Sequence, residues 1–288
     1  MRLGFTADLH YGISRWVDRR TLSFIEKQIV PAGLDLLVVA GDVAEMDGLR
    51  GRHLGHWHRQ ILARLREAAK CRVAFCAGNH DLWSDDDETD SWAIYREGLA
   101  GVGRTTGTTY LDAENLVLDE LAVVGCYGHY DFSLRTPDLV IAGRTVEEEH
   151  YRSKIPPGHV APVWMDLQKI RWQFDDAAAA EEICAATRSR LEAALEQRRT
   201  IVFVSHGVPR AEANGHAASE DPLSLFLNAF SGTLRLEQLI RLATAQGAAV
   251  LSVSGHTHRA VDRLTIEGVD YLNVGGTYGE ARLVIVEL

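Results

Sequence analysis

Five short apolar runs in this chain each end on side chains that ligate metals, and that repetition constrains the fold more than any other feature. Residues 2–7 run into Asp8-Leu9-His10, and 34–40 into Gly41-Asp42. Residues 72–77 run into Gly78-Asn79-His80-Asp81, 200–204 into Ser205-His206-Gly207, and 248–253 lead to Gly255-His256-Thr257-His258. Runs this short, rich in Val, Leu and Phe, suit strands buried on both faces. Open α/β sheets gather their sites at the carboxyl ends of strands, which is where the polar residues fall here.

Residues 121–126 read as a further strand. Between the strands, 21–29, 56–69, 90–99, 177–197 and 234–246 have helical spacing; the last puts Leu236, Leu239, Ile240 and Ala243 on one face. Alternating strands and helices predict an α/β protein with a largely parallel sheet. Residues 259–267, 269–274 and 282–287 follow one another with short turns and no helix, which predicts an antiparallel meander. The expected architecture is two packed mixed β-sheets flanked by helices, a four-layer α/β/β/α sandwich forming one domain over 1–288. Two stretches lack a period: 127–175, which holds four of the seven prolines, and 207–232. Long irregular segments in compact domains are usually binding loops or lids, so a cap-like insertion and an active-site loop are expected there.

The net charge of −10 argues against a protein that coats nucleic acid, since such binding neutralises phosphates with basic surface. It leaves a phosphate substrate open, because bound divalent cations reverse the sign locally. Cys71, Cys76, Cys126 and Cys184 are scattered and form no CxxC pair, so a reducing compartment is expected. The first residues, MRLGFTADLH, leave no room for the apolar stretch of a signal peptide. No apolar run reaches the ~18 residues of a membrane span, and a cytoplasmic protein is the expectation.

Spacing strengthens the chemical reading. Asp8 and His10 are two apart, as are His256 and His258, so each pair can point to one side of an extended segment. Glycines at 41, 78 and 255 are expected to let the backbone turn sharply. Carboxylate, imidazole and amide oxygen together suit Mn, Fe or Zn better than calcium, which prefers oxygen alone.

The ordered set DxH, GD, GNH(D/E), a lone His and GHxH closely resembles the calcineurin-like metallophosphoesterase family. The resemblance implies one metal on Asp8, His10 and His258, a second on Asn79, His206 and His256, and Asp42 bridging them. A water or hydroxide would complete the pair. Two metals ~3.5–4 Å apart clamp a phosphoryl group and acidify water into a nucleophile. By the same resemblance, Asn79 and His80 meet the substrate, and His80 protonates the leaving group rather than binding metal; an imidazole suits that task. Glu45 stands where serine/threonine phosphatases of the superfamily carry the acid that orients this histidine. Purple acid phosphatases have a metal-binding tyrosine there, and the protein phosphatases read GDxVDRG, whereas Gly41-Asp42-Val43-Ala44-Glu45-Met46-Asp47 has neither the tyrosine nor that arginine.

Other features have plainer readings. His53, His56 and His58 lie on polar sequence entering a helix, where a solvated surface is expected. Asp85-Asp86-Asp87-Glu88 reads as an acidic loop before a helix, where negative charge suits the dipole. His129 follows a strand end and could face the substrate. Trp164 and Trp172 could stack on a base or form the insertion's own core. Arg144, Arg152, Lys154 and Arg171 are expected mainly at the surface, although some could meet a distal phosphate. The implied function is metal-dependent hydrolysis of a small phosphorylated substrate, a phosphodiester or nucleotide-like molecule, without stable nucleic-acid binding. A monoesterase, a nuclease and a non-catalytic metal-binding scaffold are the alternatives.

Overall fold

The computed structural model describes residues 1–45, 55–84, 89–215 and 221–288. The described strands are β1 (Arg2–Thr6), β2 (Leu36–Ala40), β3 (Arg72–Cys76), β4 (Thr109–Tyr110), β5 (Leu116–Val117), β6 (Ala122–Cys126), β7 (Val140–Ile141), β8 (Arg144–Thr145), β9 (Thr200–Ser205), β10 (Ala249–Ser254), β11 (Val261–Ile266), β12 (Val269–Asn273) and β13 (Val284–Glu287). They form a five-stranded sheet ordered β13-β1-β2-β3-β4, a six-stranded sheet ordered β11-β12-β10-β9-β6-β5, and the small β7-β8 hairpin. β1, β2, β3 and β4 run parallel, as do β6, β9, β10 and β12.

The alternation within β2 explains the layering. Leu36, Val38 and Ala40 join Phe5, Val204 and Val253 in the core between the two sheets, while Leu37 and Val39 turn the other way and join Ile61 and Leu65. Successive side chains of a strand point to opposite faces, so an all-apolar strand must be covered on both. Helix His56–Ala69 packs on the outer side of the first sheet, and helices Asp176–Leu195 and Leu234–Ala245 pack on the second. This is the expected two-sheet sandwich. Buried Asp112 ties the sheets together, its carboxylate accepting from the backbone N–H groups of Ala77, after β3, and of Tyr127, after β6. Burial pushes that carboxyl up to about 6 even with both donors in place.

Three expectations about elements need correction. The tail is not a meander in one sheet: β11 and β12 form an antiparallel pair, but β12 lies parallel to β10 and β13 crosses to the other sheet, antiparallel to β1 with Leu3 opposite Val286. Period-2 patterning marks a strand without naming its partner. The first helix begins at Arg15, not Thr21, because Ser14 accepts the Val17 N–H and caps it; the chain then passes through a π-helical turn, Ile25–Ile29. The helix expected to stop at residue 99 continues as Leu99–Thr106. Gly103 lies inside it because a Cβ there would stand 2.9 Å from the Thr108 carbonyl oxygen, a packing need rather than a stop signal.

The two aperiodic stretches pack on one another. Tyr130, Phe132, Leu139, Ile141 and Tyr151 of the first share a separate apolar cluster with Phe226, Ala229 and Phe230 of the second. No helix among the described residues is long and apolar enough to cross a membrane.

Candidate dinuclear metal site

The strand ends converge because their backbones are bound to each other. The Asp8 N–H donates to the Gly41 carbonyl (3.2 Å), His10 N–H to the Asp42 carbonyl (3.0 Å) and Gly255 N–H to the His206 carbonyl (3.1 Å). The two carboxylates add further ties, Asp8 Oδ1 accepting from His256 N–H (3.0 Å) and Asp42 Oδ1 from His80 N–H (2.9 Å). Asp8, His10, Asp42, His256 and His258 all have positive φ, between 46° and 72°. Residues with a Cβ adopt this left-handed region at a cost and cluster there at functional sites. The Asp8/His10 and His256/His258 pairs therefore reach one side through left-handed turns, not through the extended backbone expected from their spacing. The glycines also differ from expectation. Gly41 does turn with φ of 81°, but a Cβ there would stand 2.4 Å from His206 Nδ1. A Cβ on Gly78 would stand 2.2 Å from Asp42 Oδ1, and one on Gly255 2.7 Å from the Ala7 Cβ. Close approach is the shared requirement.

Each histidine of the group has its outer nitrogen engaged and its inner nitrogen turned inward. His206 Nδ1 lies 2.9 Å from the Ala40 carbonyl, and His256 Nε2 lies 3.0 Å from the Phe230 carbonyl. Carbonyls only accept, so those nitrogens carry protons, which leaves His206 Nε2 and His256 Nδ1 as the nitrogens able to turn a lone pair to a cation, His206 once it releases its second proton. His10 Nδ1 faces Glu45 Oε1 (3.3 Å) and His258 Nδ1 faces Thr277 Oγ1 (3.3 Å). The inner nitrogens then crowd together: His206 Nε2 is 3.0 Å from His256 Nδ1, and His10 Nε2 is 3.2 Å from His258 Nε2. Asp42 Oδ2 stands between the pairs, 3.3 Å from His206 Nε2 and 3.7 Å from His10 Nε2. Asn79 Oδ1 lies 3.2 Å from His206 Nε2, and Asp8 Oδ1 3.7 Å from His258 Nε2.

This donor set fits cations. Facing imidazole lone pairs repel unless a proton or metal lies between them. Asp8 Oδ2 is buried with no hydrogen-bond partner, which in water-free surroundings is costly. Burial pushes the Asp8 carboxyl up to about 8. For Asp42 burial acts in the same direction, but His206 and His80 outweigh it and hold that carboxyl well below the usual range. Burial alone would lower His206, yet Asp42 raises it to about 9; burial and the neighbouring His206 bring His256 down to about 3. Asp8, His10 and His258 form one group of close donors, and Asp8, Asp42 and His206 another.

His80 also lies among these donors, grouped with His10 and Asp42. Its Nδ1 is held by Glu45 Oε1 at 2.8 Å, its ring stacks on Trp83 at 3.6 Å, and its Nε2 is 3.3 Å from the Tyr278 hydroxyl. Burial would lower its pKa, but Asp42 and Glu45 raise it to about 9. Tyr278, unmarked in the sequence, also stacks on His10 (4.1 Å, 25°). Beside these groups opens a cleft of about 400 Å³. Asp42, Asn79, His80, His256 and His258 reach it, with Trp83, Trp164, Met165 and Tyr278 as its large walls and Asn214, Asn228, Ser224 and Ser231 as its polar rim.

The chain belongs to the calcineurin-like phosphoesterase family. That family's model matches residues 1–260, which include every residue of the converging group. Membership carries with it the hydrolase class and a phosphorylated substrate. Among solved structures the phosphoesterase is similar to a dimetal phosphatase from Danio rerio, at 14% identity and a TM-score of 0.50, over 97% of this chain and 88% of that one. It is also similar to a 5'-nucleotidase from Candida albicans, at 14% identity and a TM-score of 0.45, over 97% of this chain and 46% of that one. At 14% identity the likeness to the dimetal phosphatase concerns the fold alone. No curated protein sequence matches the chain.

Several side chains fall elsewhere than expected. His129 does not line the cleft: it is buried, with Nε2 3.0 Å from Asp176 Oδ1 and Nδ1 3.1 Å from the Tyr127 hydroxyl. His58 is not solvated but fully buried, its Nε2 2.7 Å from Asp81 Oδ1. Asp81 in turn accepts the N–H groups of Ala44 and Gly78, so His58 buttresses the loops that carry Asp42 and Asn79. His53 and Asp85-Asp86-Asp87-Glu88 lie outside the described residues. Lys154 is buried on Asp176 (2.7 Å) rather than at the surface, and Arg171 donates to the Ser84 carbonyl. Trp172 packs against Trp92 and His129, whereas Trp164 stacks on Phe230 and walls the cleft. Sequence reasoning passed over Asp166, whose carboxylate accepts from Asn79, Trp83 and Trp164.

Proposed function

We propose that this chain hydrolyses a small phosphate ester carrying a single phosphoryl group, a phosphodiester in preference to a monoester, with two metal ions. The observation that carries the reading is the inward set of ring nitrogens of His10, His206, His256 and His258 around Asp42 Oδ2, each ring fixed by a partner on its outer nitrogen. Asp8, His10 and His258 would hold one ion, Asn79, His206 and His256 the other, and Asp42 both. Mn, Fe or Zn suits these donors. When bound, such a pair polarises the phosphoryl oxygens and supplies a nucleophile from water.

The chain's own groups do the rest. His80, held by Glu45 on Nδ1, presents Nε2 beside the metal donors, where it can give a proton to the departing oxygen. The Glu45 carboxylate fixes the tautomer and supports the charged form of the ring. Trp83, Trp164 and Tyr278 form an apolar wall for the organic part of the substrate, and the amides of Asn214 and Asn228 can orient it. Among the described residues the cleft is lined by no Lys or Arg. That supports a substrate of low charge, such as a diester, over a polyphosphate or a nucleic-acid strand, whose extra charges need cations.

The test is hydrolysis of a chromogenic diester and its monoester by metal-stripped protein resupplied with Mn²⁺, with Asp42→Asn as control. Turnover that needs Mn²⁺, favours the diester and is abolished in the control is expected. Equal turnover by the control would refute the bridging role, and a monoester preference would refute the substrate reading.

A further inference from the structure

We propose that Asp166, contributed by the insertion, is a positioning residue that decides which end of the Asn79 amide faces the metals. The inference rests on the reading of Asn79 as a ligand of the second ion. An asparagine side chain has two nearly isosteric ends, and only its oxygen can ligate a cation. Turned over, Asn79 would offer N–H groups to His206 Nε2 and to any ion beside it. Something must make one orientation much better than the other.

Asp166 provides that asymmetry. It is almost fully buried, and three N–H groups converge on its carboxylate: Asn79 Nδ2 (3.0 Å) and Trp83 Nε1 (2.6 Å) on Oδ1, and Trp164 Nε1 (2.9 Å) on Oδ2. A carboxylate only accepts, so it holds the Nδ2 end of Asn79 and turns Oδ1 to within 3.2 Å of His206 Nε2. The same carboxylate anchors the two indoles that wall the cleft, one stacked on His80 and the other edge-on to His256 at 5.6 Å. Asp166 and Trp164 both belong to the aperiodic stretch, so the insertion supplies the group that holds Asn79 as well as part of the cleft wall. Replacing the carboxylate with an amide of the same shape weakens the discrimination: its NH₂ must face either the Trp164 indole N–H or those of Trp83 and Asn79, and the single neutral oxygen left holds the Asn79 Nδ2 end less firmly.

Calorimetric titration of metal-stripped protein with Mn²⁺ tests this without reference to turnover. Wild type should take up two equivalents. Asp166→Asn should keep the first and bind the second about 10- to 100-fold more weakly, as is usual when a group orienting a ligand is lost. Asp166→Glu, which still only accepts, should recover most of the second. The double variant Trp83→Phe/Trp164→Phe removes the indole donors but leaves the Asn79 contact, and should bind both ions as wild type does. If Asp166→Asn does not fold, as judged by its thermal transition, Asp166→Ser, whose hydroxyl can donate, replaces it with the same expected weakening. Undiminished second-ion binding in the folded variant overturns the proposal, as does equal weakening in the double Trp variant. A wild-type protein that binds fewer than two ions, or an Asn79→Ala variant that binds both normally, instead overturns the ligand reading beneath it.

Discussion

Replacing Glu45 with Gln separates the two duties its carboxylate performs. Oε1 lies 2.8 Å from His80 Nδ1 and 3.3 Å from His10 Nδ1, so one oxygen steadies both a proposed acid and a proposed ligand. Gln keeps an acceptor oxygen in the same place but loses the charge. A hydrogen bond to a charged partner contributes about 1.5–3 kcal/mol net. If the His80 bond is fully used as the leaving group departs, its loss slows that step about 10- to 150-fold. The discriminating assay is kcat/KM on two diesters that share a phosphoryl group, one with a nitrophenolate leaving group and one with an alkoxide. A nitrophenolate leaves with little protonation, so Glu45→Gln should cost little there and the full factor on the alkyl ester. His80→Ala should show the same selectivity, and the double variant should be no slower than His80→Ala alone. An equal loss on both esters, accompanied by weaker Mn²⁺ binding, would mean that Glu45 acts through His10 and that the acid assignment is wrong.

Other consequences can be checked separately. His58→Phe keeps a buried ring but takes a donor from Asp81; it should destabilise the fold by about 2 kcal/mol, read by urea unfolding. Gly78→Ala would drive a Cβ against Asp42 Oδ1 and, at 2.4 Å, the Asp42 backbone nitrogen; a cost of about 1–3 kcal/mol with weakened Mn²⁺ uptake is expected by thermal melts and calorimetry. Trp164→Ala should raise KM for aryl or nucleoside esters by about 5- to 150-fold, the range of aromatic stacking, and leave KM for a methyl ester little changed.

The donors of the proposed metal site were legible because each lies close to the strand that delivers it, within five residues of an apolar run. Such local juxtaposition is what a sequence displays. Asp166 was not legible: it lies 87 residues from Asn79, in a stretch without period, and a lone acid there looks like any other. Tyr278 arrives from a tail turn whose course depends on β13 crossing between sheets, which alternation alone does not encode. His58 misled for the opposite reason. Its neighbours Arg59 and Gln60 are polar, but helical geometry turns His58 inward with Ile61, Leu62 and Leu65 while Gln60 faces solvent. The motif glycines were found, but their main purpose, room for Asp42, His206 and Ala7, is visible only once the strands are side by side.

The proposed ligands are divided between the sheets in a way that bears on mechanics. Asp8, His10, Asp42 and Asn79 follow strands of the five-stranded sheet, while His206, His256 and His258 follow strands of the six-stranded one. Each ion would then be a cross-link between the two halves of the sandwich, fastened at one rim, with the Asp112 bridge as its protein-only counterpart. Removing the ions would leave five left-handed residues without the bonds that offset their strain, and that rim joined across the sheets only by weaker ties, Asp112 and hydrogen bonds such as that of His206 Nδ1 to the Ala40 carbonyl among them. Amide exchange after chelation should therefore quicken in a gradient, steepest at the carboxyl ends of β1, β2, β9 and β10 and absent at their amino ends.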